Sequence, residues 1–199
     1  MKLDKVHDIQ KIYRKVLDLM SRPGKIANIS DEVKEVQPIV DIFDATFGLM
    51  LMLLDMEVSF HIVSANSEKI AQMISQLTYG KQSDIEQADY VFVLKDVAAT
   101  QLAEVFKQVK VGELFDPQKS ATLIVEAMEL TNEKELIFRG PGIKDTNLVN
   151  IGLGNDWIGA RKDVNIEFPL GVDTIFIDGQ ANVLCLPRTT QILSVDEVS

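Results

Sequence analysis

Cysteine is almost missing from this chain: one residue in 199, Cys185. No internal disulfide can form, and a cysteine-ligated zinc or iron-sulfur site has no ligand set. The single thiol lies in the apolar run VLCLP and reads as a buried core side chain in a reduced compartment. Histidine is as scarce. Only His7 and His61 are present, His61 inside the strand-like VSFHIVS, and neither has a second ligand at metal spacing. No GxSxG elbow occurs and nothing pairs Cys185 with a base, so neither a catalytic residue nor a metal site is expected. Basic residues are outnumbered, 20 Lys plus Arg against 30 acids, and a formal charge of -10 repels a phosphate backbone. A nucleic-acid partner is disfavoured, and none is expected. Long apolar runs are missing too. The most apolar segment, residues 38–54, is short for a bilayer and is interrupted by Asp41 and Asp44, so it reads as a buried helix and no membrane partner is expected. The opening MKLDKVHDIQ has no apolar signal core, which gives a cytoplasmic expectation.

What is present is an ordinary globular composition, 46% hydrophobic and 25% charged, without low-complexity segments. One domain over residues 1–199 is expected, large enough to bury roughly 70% of the surface of its unfolded form. Residues 4–20 place Val6, Ile9, Tyr13, Val16, Leu17 and Met20 at helical spacing, with Asp4 as cap and SRPG as stop. IANI follows as a short strand or turn. Pro38 suits the first turn of the next helix, whose polar stripe is Asp41, Asp44, Gly48 and Asp55. VSFHIVS reads as a strand; Asn66 or Ser67 caps a helix to Tyr79 that Gly80 closes. DYVFVLK is a strand and ATQLAEVFKQV a helix. ATLIVEAMEL and KELIFRG are strands separated by a Thr-Asn-Glu-Lys turn. IGLGNDWIGARKD leads into a helix, and DTIFID-GQAN-VLCLP forms a closing hairpin. Both hairpin arms are apolar at consecutive positions, the mark of a sheet covered on both faces. The sum is a layered α/β domain with a mixed sheet.

Glycine-rich stretches give no nucleotide fingerprint. GPGIKD lacks the spacing and the Lys-Ser/Thr of a Walker loop, and GLGNDWIG has the wrong third spacing for a dinucleotide turn. One pattern stands out in so acidic a chain: basic residues recur beside Gly/Pro turns. They are Arg22 and Lys25 around PG, Arg139 and Lys144 around Gly140-Pro141-Gly142, and Arg188 before Thr189. Together these form a candidate anion or partner contact, since arginine forks and turn amides both suit an anion. The competing reading is that loops are where charges stay solvated.

RKVLDLMSRPGKI, FRGPGI, FPLGVDTIFID and LPRTT, in that order and spacing, resemble PhnH, the H subunit of the bacterial carbon-phosphorus lyase system, over most of the chain. The resemblance implies a three-layer α/β/α fold similar to the large domain of pyridoxal-phosphate-dependent transferases, without the Schiff-base lysine and without the cofactor. It also implies a place in a complex with subunits G, I and J, and a homodimer is expected beside it. With the L subunit, that assembly takes part in forming ribose 1-methylphosphonate 5-triphosphate from ATP and methylphosphonate, and the iron-sulfur cluster for the later bond cleavage belongs to J. On this reading the chain is a non-catalytic subunit. The alternatives are a transferase whose anion site is built from Arg139, Lys144 and Arg188, or a small-molecule binder. The apolar cluster Met50, Met52, Leu53 and Met56 suggests a dimer contact, although core packing explains it as well.

Overall fold

The computed structural model describes residues 7–35, 38 and 40–194; Asp4 and Val6 lie outside them. Its centre is a seven-stranded mixed sheet in the order β1-β9-β8-β5-β4-β2-β3. Strands β2 (Ser59–Val63), β3 (Lys81–Gln82), β4 (Tyr90–Val93), β5 (Thr122–Glu126) and β8 (Asp173–Ile177) run parallel. β9 (Asn182–Leu186) returns antiparallel to β8 as the expected hairpin, and β1 (Ile26–Asn28) adds antiparallel to β9.

Side-chain alternation divides each strand between two cores. Phe60, Ile62, Phe92, Ile124, Ile175, Ile177, Val183 and Cys185 face one. Val91, Val93, Leu123, Val125, Phe176, Leu184 and Leu186 face the other. Because consecutive residues point to opposite faces, an unbroken apolar run is what a doubly covered strand needs. The first core is closed by α1 (His7–Ser21), α2 (Ser30–Val33), α3 (Asp44–Leu53) and α4 (Ser67–Thr78), the second by α5 (Ala99–Gln108) and α6 (Asp156–Val164). None of the described helices is long and apolar enough to cross a membrane.

Several local expectations need correction. The buried line of α1 is Ile12, Val16 and Leu19, while Tyr13 and Leu17 are about half exposed. The apolar arc of this helix is wide, and its packed centre sits about one residue round from the predicted stripe. α3 starts at Asp44, not Pro38: the Phe43 N–H goes to Glu126 Oε1, and the first helical bond is Phe47 N–H to Phe43 O. It is buried at every position from Ala45 to Met50, so Met50 is core, whereas Met56 beyond the helix is exposed. Asn66 is the N-cap residue of α4 but its side chain does not cap; at the other end Tyr79, not Gly80, takes the left-handed conformation, at φ 63°.

The Thr-Asn-Glu-Lys segment does not separate two strands. β5 stops at Glu126, and β6 (Leu130–Arg139) runs through the segment as one strand of a second sheet ordered β10-β6-β7. Thr131 faces Asn150 and Leu136 faces Val149, so residues 132–135 have no partner on β7 (Asn147–Ile151). Turn propensity is expressed there as a bulge. β7 and β10 (Gln191–Ser194) were not anticipated, the first because Asn147 and Asn150 interrupt its apolar pattern, the second because it is short. The chain therefore does not end in the β8–β9 hairpin.

Candidate functional site

Stretches remote in sequence meet where the two sheets join. α1 stops at Ser21, and Gly24, at φ +86°, turns the chain. The strand β6 ends in Gly140-Pro141-Gly142-Ile143, closed by Ile143 N–H to Gly140 O at 3.1 Å. Pro at the second and Gly at the third position, with Gly142 at φ +82°, is the signature of a type II turn. A Cβ on Gly142 would collide with Ser21 O and lie 3.0 Å from Pro23 Cδ. Glycine is thus required twice at this position, for its backbone angle and for contact with the first corner. Asn147, at the start of β7, bonds Pro23 O through Nδ2 at 2.6 Å. On the other side, Gly140 lies against the backbone of Thr189 and Thr190.

The third corner is the turn after β9, closed by Thr190 N–H to Pro187 O at 2.9 Å. Arg161 of α6, which sequence reading missed, donates from one terminal nitrogen to Thr190 O at 3.0 Å and from the other to Pro187 O at 2.7 Å. Burial pushes its guanidinium down to about 10, with Asp173 acting in the opposite direction. No sequence signal marked Arg161, because GARKD reads as a helix end with ordinary solvated cations.

Arg188 turns the other way. Its backbone N–H bonds Asp173 Oδ1 at 2.7 Å, and its guanidinium reaches Asp173 Oδ2 at 2.7 Å, Ser120 Oγ at 2.6 Å, and the carbonyls of Pro117 and Pro169 at 3.2 Å each. The FPLGVD stretch is thereby tied to LPRTT, so the four motif stretches interlock. Arg22 and Lys25 both pair with Asp18 of α1, Lys25 at 2.9 Å.

The glycines and turns of the predicted site are therefore brought together, but its cations are not. Arg22 and Lys25 converge on Asp18, Arg188 is held by Asp173, and the exposed side chains of Arg139 and Lys144 make no hydrogen bond or ion pair with another described residue. Thr189 is exposed beside Gly140. In GLGNDWIG, Gly152 likewise serves packing, since it exchanges backbone bonds with Met128 and Glu129 and a Cβ there would meet Glu129. His61 Nδ1 lies 2.8 Å from Ser83 O. Among the described residues no group of three or more His, Cys, Asp or Glu could hold a metal ion.

One carboxylate stands apart. Glu126, at the end of β5, is 2% exposed and accepts the N–H groups of Phe43 and Lys95 at 2.8 and 3.0 Å. Burial raises its pKa above the ordinary 4.5, with those N–H groups and Thr46 acting against the rise. It fixes the entry to α3 and the exit from β4.

Compared with known proteins, residues 2–193 match the family model described as bacterial phosphonate metabolism protein (PhnH). A protein of Rhizobium meliloti (strain 1021) named alpha-D-ribose 1-methylphosphonate 5-triphosphate synthase subunit PhnH is 30% identical over 192 residues, 95% of this chain and 92% of that protein. A Stutzerimonas stutzeri protein named putative C-P lyase subunit protein HtxG is 26% identical over 186 residues, 92% of this chain and 85% of its own length.

Proposed function

The chain belongs to the PhnH family of bacterial phosphonate metabolism proteins, and from that premise we propose that it is the H subunit of a carbon-phosphorus lyase core complex. It serves there as a non-catalytic subunit of the assembly that makes ribose 1-methylphosphonate 5-triphosphate, with G, I and J as its partners. The observation that carries the scaffold role is the use made of its cations: Arg161 and Arg188 are spent on bonds that tie remote segments together, and Arg22 and Lys25 on Asp18 within the first corner. The shared motifs thus specify a rigid shape. The parallel β3-β2-β4-β5-β8 segment with helices on both faces supports the likeness to the large domain of pyridoxal-phosphate-dependent transferases, without the cofactor. A homodimer contact is assigned to the exposed Met56 end of α3.

Co-expression with G, I and J followed by gel filtration tests the reading. The chain should elute with them, and separate elution would refute it. A second reading, a binder with its own anion site, is favoured by Arg139 and Lys144 beside the GPG turn, whose side chains pair with no described residue. Titration calorimetry of the isolated protein with ATP or methylphosphonate discriminates, because a scaffold gives no binding heat.

A further inference from the structure

Two loops at the end of the large sheet where β5 and β8 begin expose four large apolar side chains. In the first, Glu113 and Asp116 exchange backbone bonds, Asp116 N–H to Glu113 O at 3.0 Å and the reverse at 3.4 Å, which puts Leu114 and Phe115 at the tip. Leu114 is 63% exposed and Phe115 96%. The second loop, residues 165–171, is closed by Leu170 N–H to Glu167 O at 2.8 Å and exposes Ile166 at 80% and Phe168 at 76%. Turn tips ordinarily carry Gly, Asn, Asp or Pro, so aromatic and aliphatic side chains there lack a folding reason.

The loops lie side by side and are firmly backed. One guanidinium nitrogen of Arg188 donates to both Pro117 O and Pro169 O, and Gly171 N–H bonds Val111 O at 2.9 Å. Little ordering entropy is left to lose when a partner binds such a surface. Four side chains of this size and exposure offer on the order of 500 Å² of apolar area, toward the upper end of the roughly 300–600 Å² of the largest patch on a soluble monomer and more than half of the ~800 Å² per side of a standard interface.

Charge decides between occupants. The exposed ionic side chains around the tips are Glu113, Asp163 and Glu167 against Lys162, while Asp116 is taken up by Lys119 at 2.6 Å. A second copy of this surface would set acid against acid, in a chain that already carries -10. We propose that the two loops are the docking surface for a different subunit of the assembly, one presenting an apolar recess rimmed by lysine or arginine. The inference rests on the function proposed above and names the face through which it operates.

The test is the double variant Phe115→Asp/Phe168→Asp, co-expressed with G, I and J, with Met128→Asp as control because Met128 is exposed beyond the opposite end of β5. The double variant should melt like wild type yet lose at least tenfold in the fraction eluting with the partners, while the control assembles normally. If the aspartates disturb the fold, Phe115→Ser alone should show the same loss in smaller measure. Glu113→Lys/Glu167→Lys should also weaken assembly, and wild-type assembly should weaken as salt rises. Normal assembly of the double variant would overturn the docking surface and leave the function intact. An isolated wild-type dimer that the double variant makes monomeric would overturn it in favour of a second copy. Failure of wild type itself to assemble would remove the function, and this inference with it.

Discussion

Replacing Arg188 with alanine is the most informative single change. The side chain is 16% exposed and its partner Asp173 25%, so the pair is neither fully buried nor freely solvated. Truncation removes the guanidinium contacts to Asp173, Ser120, Pro117 and Pro169, while Asp173 keeps the hydrogen bond from the backbone N–H of residue 188 and the charge of Arg161 nearby. Breaking a fully buried pair costs about 3–5 kcal/mol. Water reaching a quarter-exposed carboxylate and the two freed carbonyls reduces this, and we expect about 3 kcal/mol. For a chain of this size that corresponds to a fall in Tm of roughly 6–12 °C. Urea denaturation of Arg188→Ala, Asp173→Asn and the double variant measures it, and the cycle should give a coupling of at least ~1.5 kcal/mol. Arg188→Lys should fall between, because one ammonium cannot span Asp173, Ser120 and two separated carbonyls. A loss below ~1 kcal/mol with no coupling would refute the account and return Arg188 to the status of a solvated charge.

Two further changes test other parts of the structure. Gly142→Val places a β-branched residue at φ +82° with its Cβ against Ser21 O, and should destabilise by well over the ~1 kcal/mol of a tolerated glycine change. A thermal melt equal to wild type would refute the corner packing. Glu126→Gln tests the buried carboxylate through pH. Because the folded pKa is raised above 4.5, the contribution of Glu126 is fully present below that value and is lost as pH rises through the folded one. The stability of wild type relative to Glu126→Gln should therefore be greatest in acid and decline toward neutrality in a series of denaturation curves. A difference that grows with pH would show that the two N–H bonds outweigh burial.

Much of the element order was readable from local pattern. The strands around Phe60, Phe92 and Ile175, the helix around Phe106, and the β8–β9 hairpin followed from apolar runs bounded by turn residues, and consecutive burial in β8 and β9 already implied a sheet covered twice. Gly142 was legible as a positive-φ residue, since Pro-Gly in a turn leaves few alternatives. The family was legible as well, because four motifs kept their order and spacing along the chain.

Other features were decided only when distant segments packed. Which arc of α1 is buried depends on where α3 lies, and Tyr13 and Leu17 have the same local pattern as residues that go inside. Whether the residues around Asn132 make a turn or a bulge depends on the presence of β7 as a partner strand. The fates of Arg188 and Arg161 depend on a carboxylate and carbonyls brought from elsewhere, with Asp173 lying 15 residues from Arg188 and Pro187 lying 26 from Arg161. Hydrophobic periodicity is a property of neighbours along the chain and is written in the sequence. Charge pairing and close backbone approach are properties of neighbours in space, and only the assembled fold chooses those.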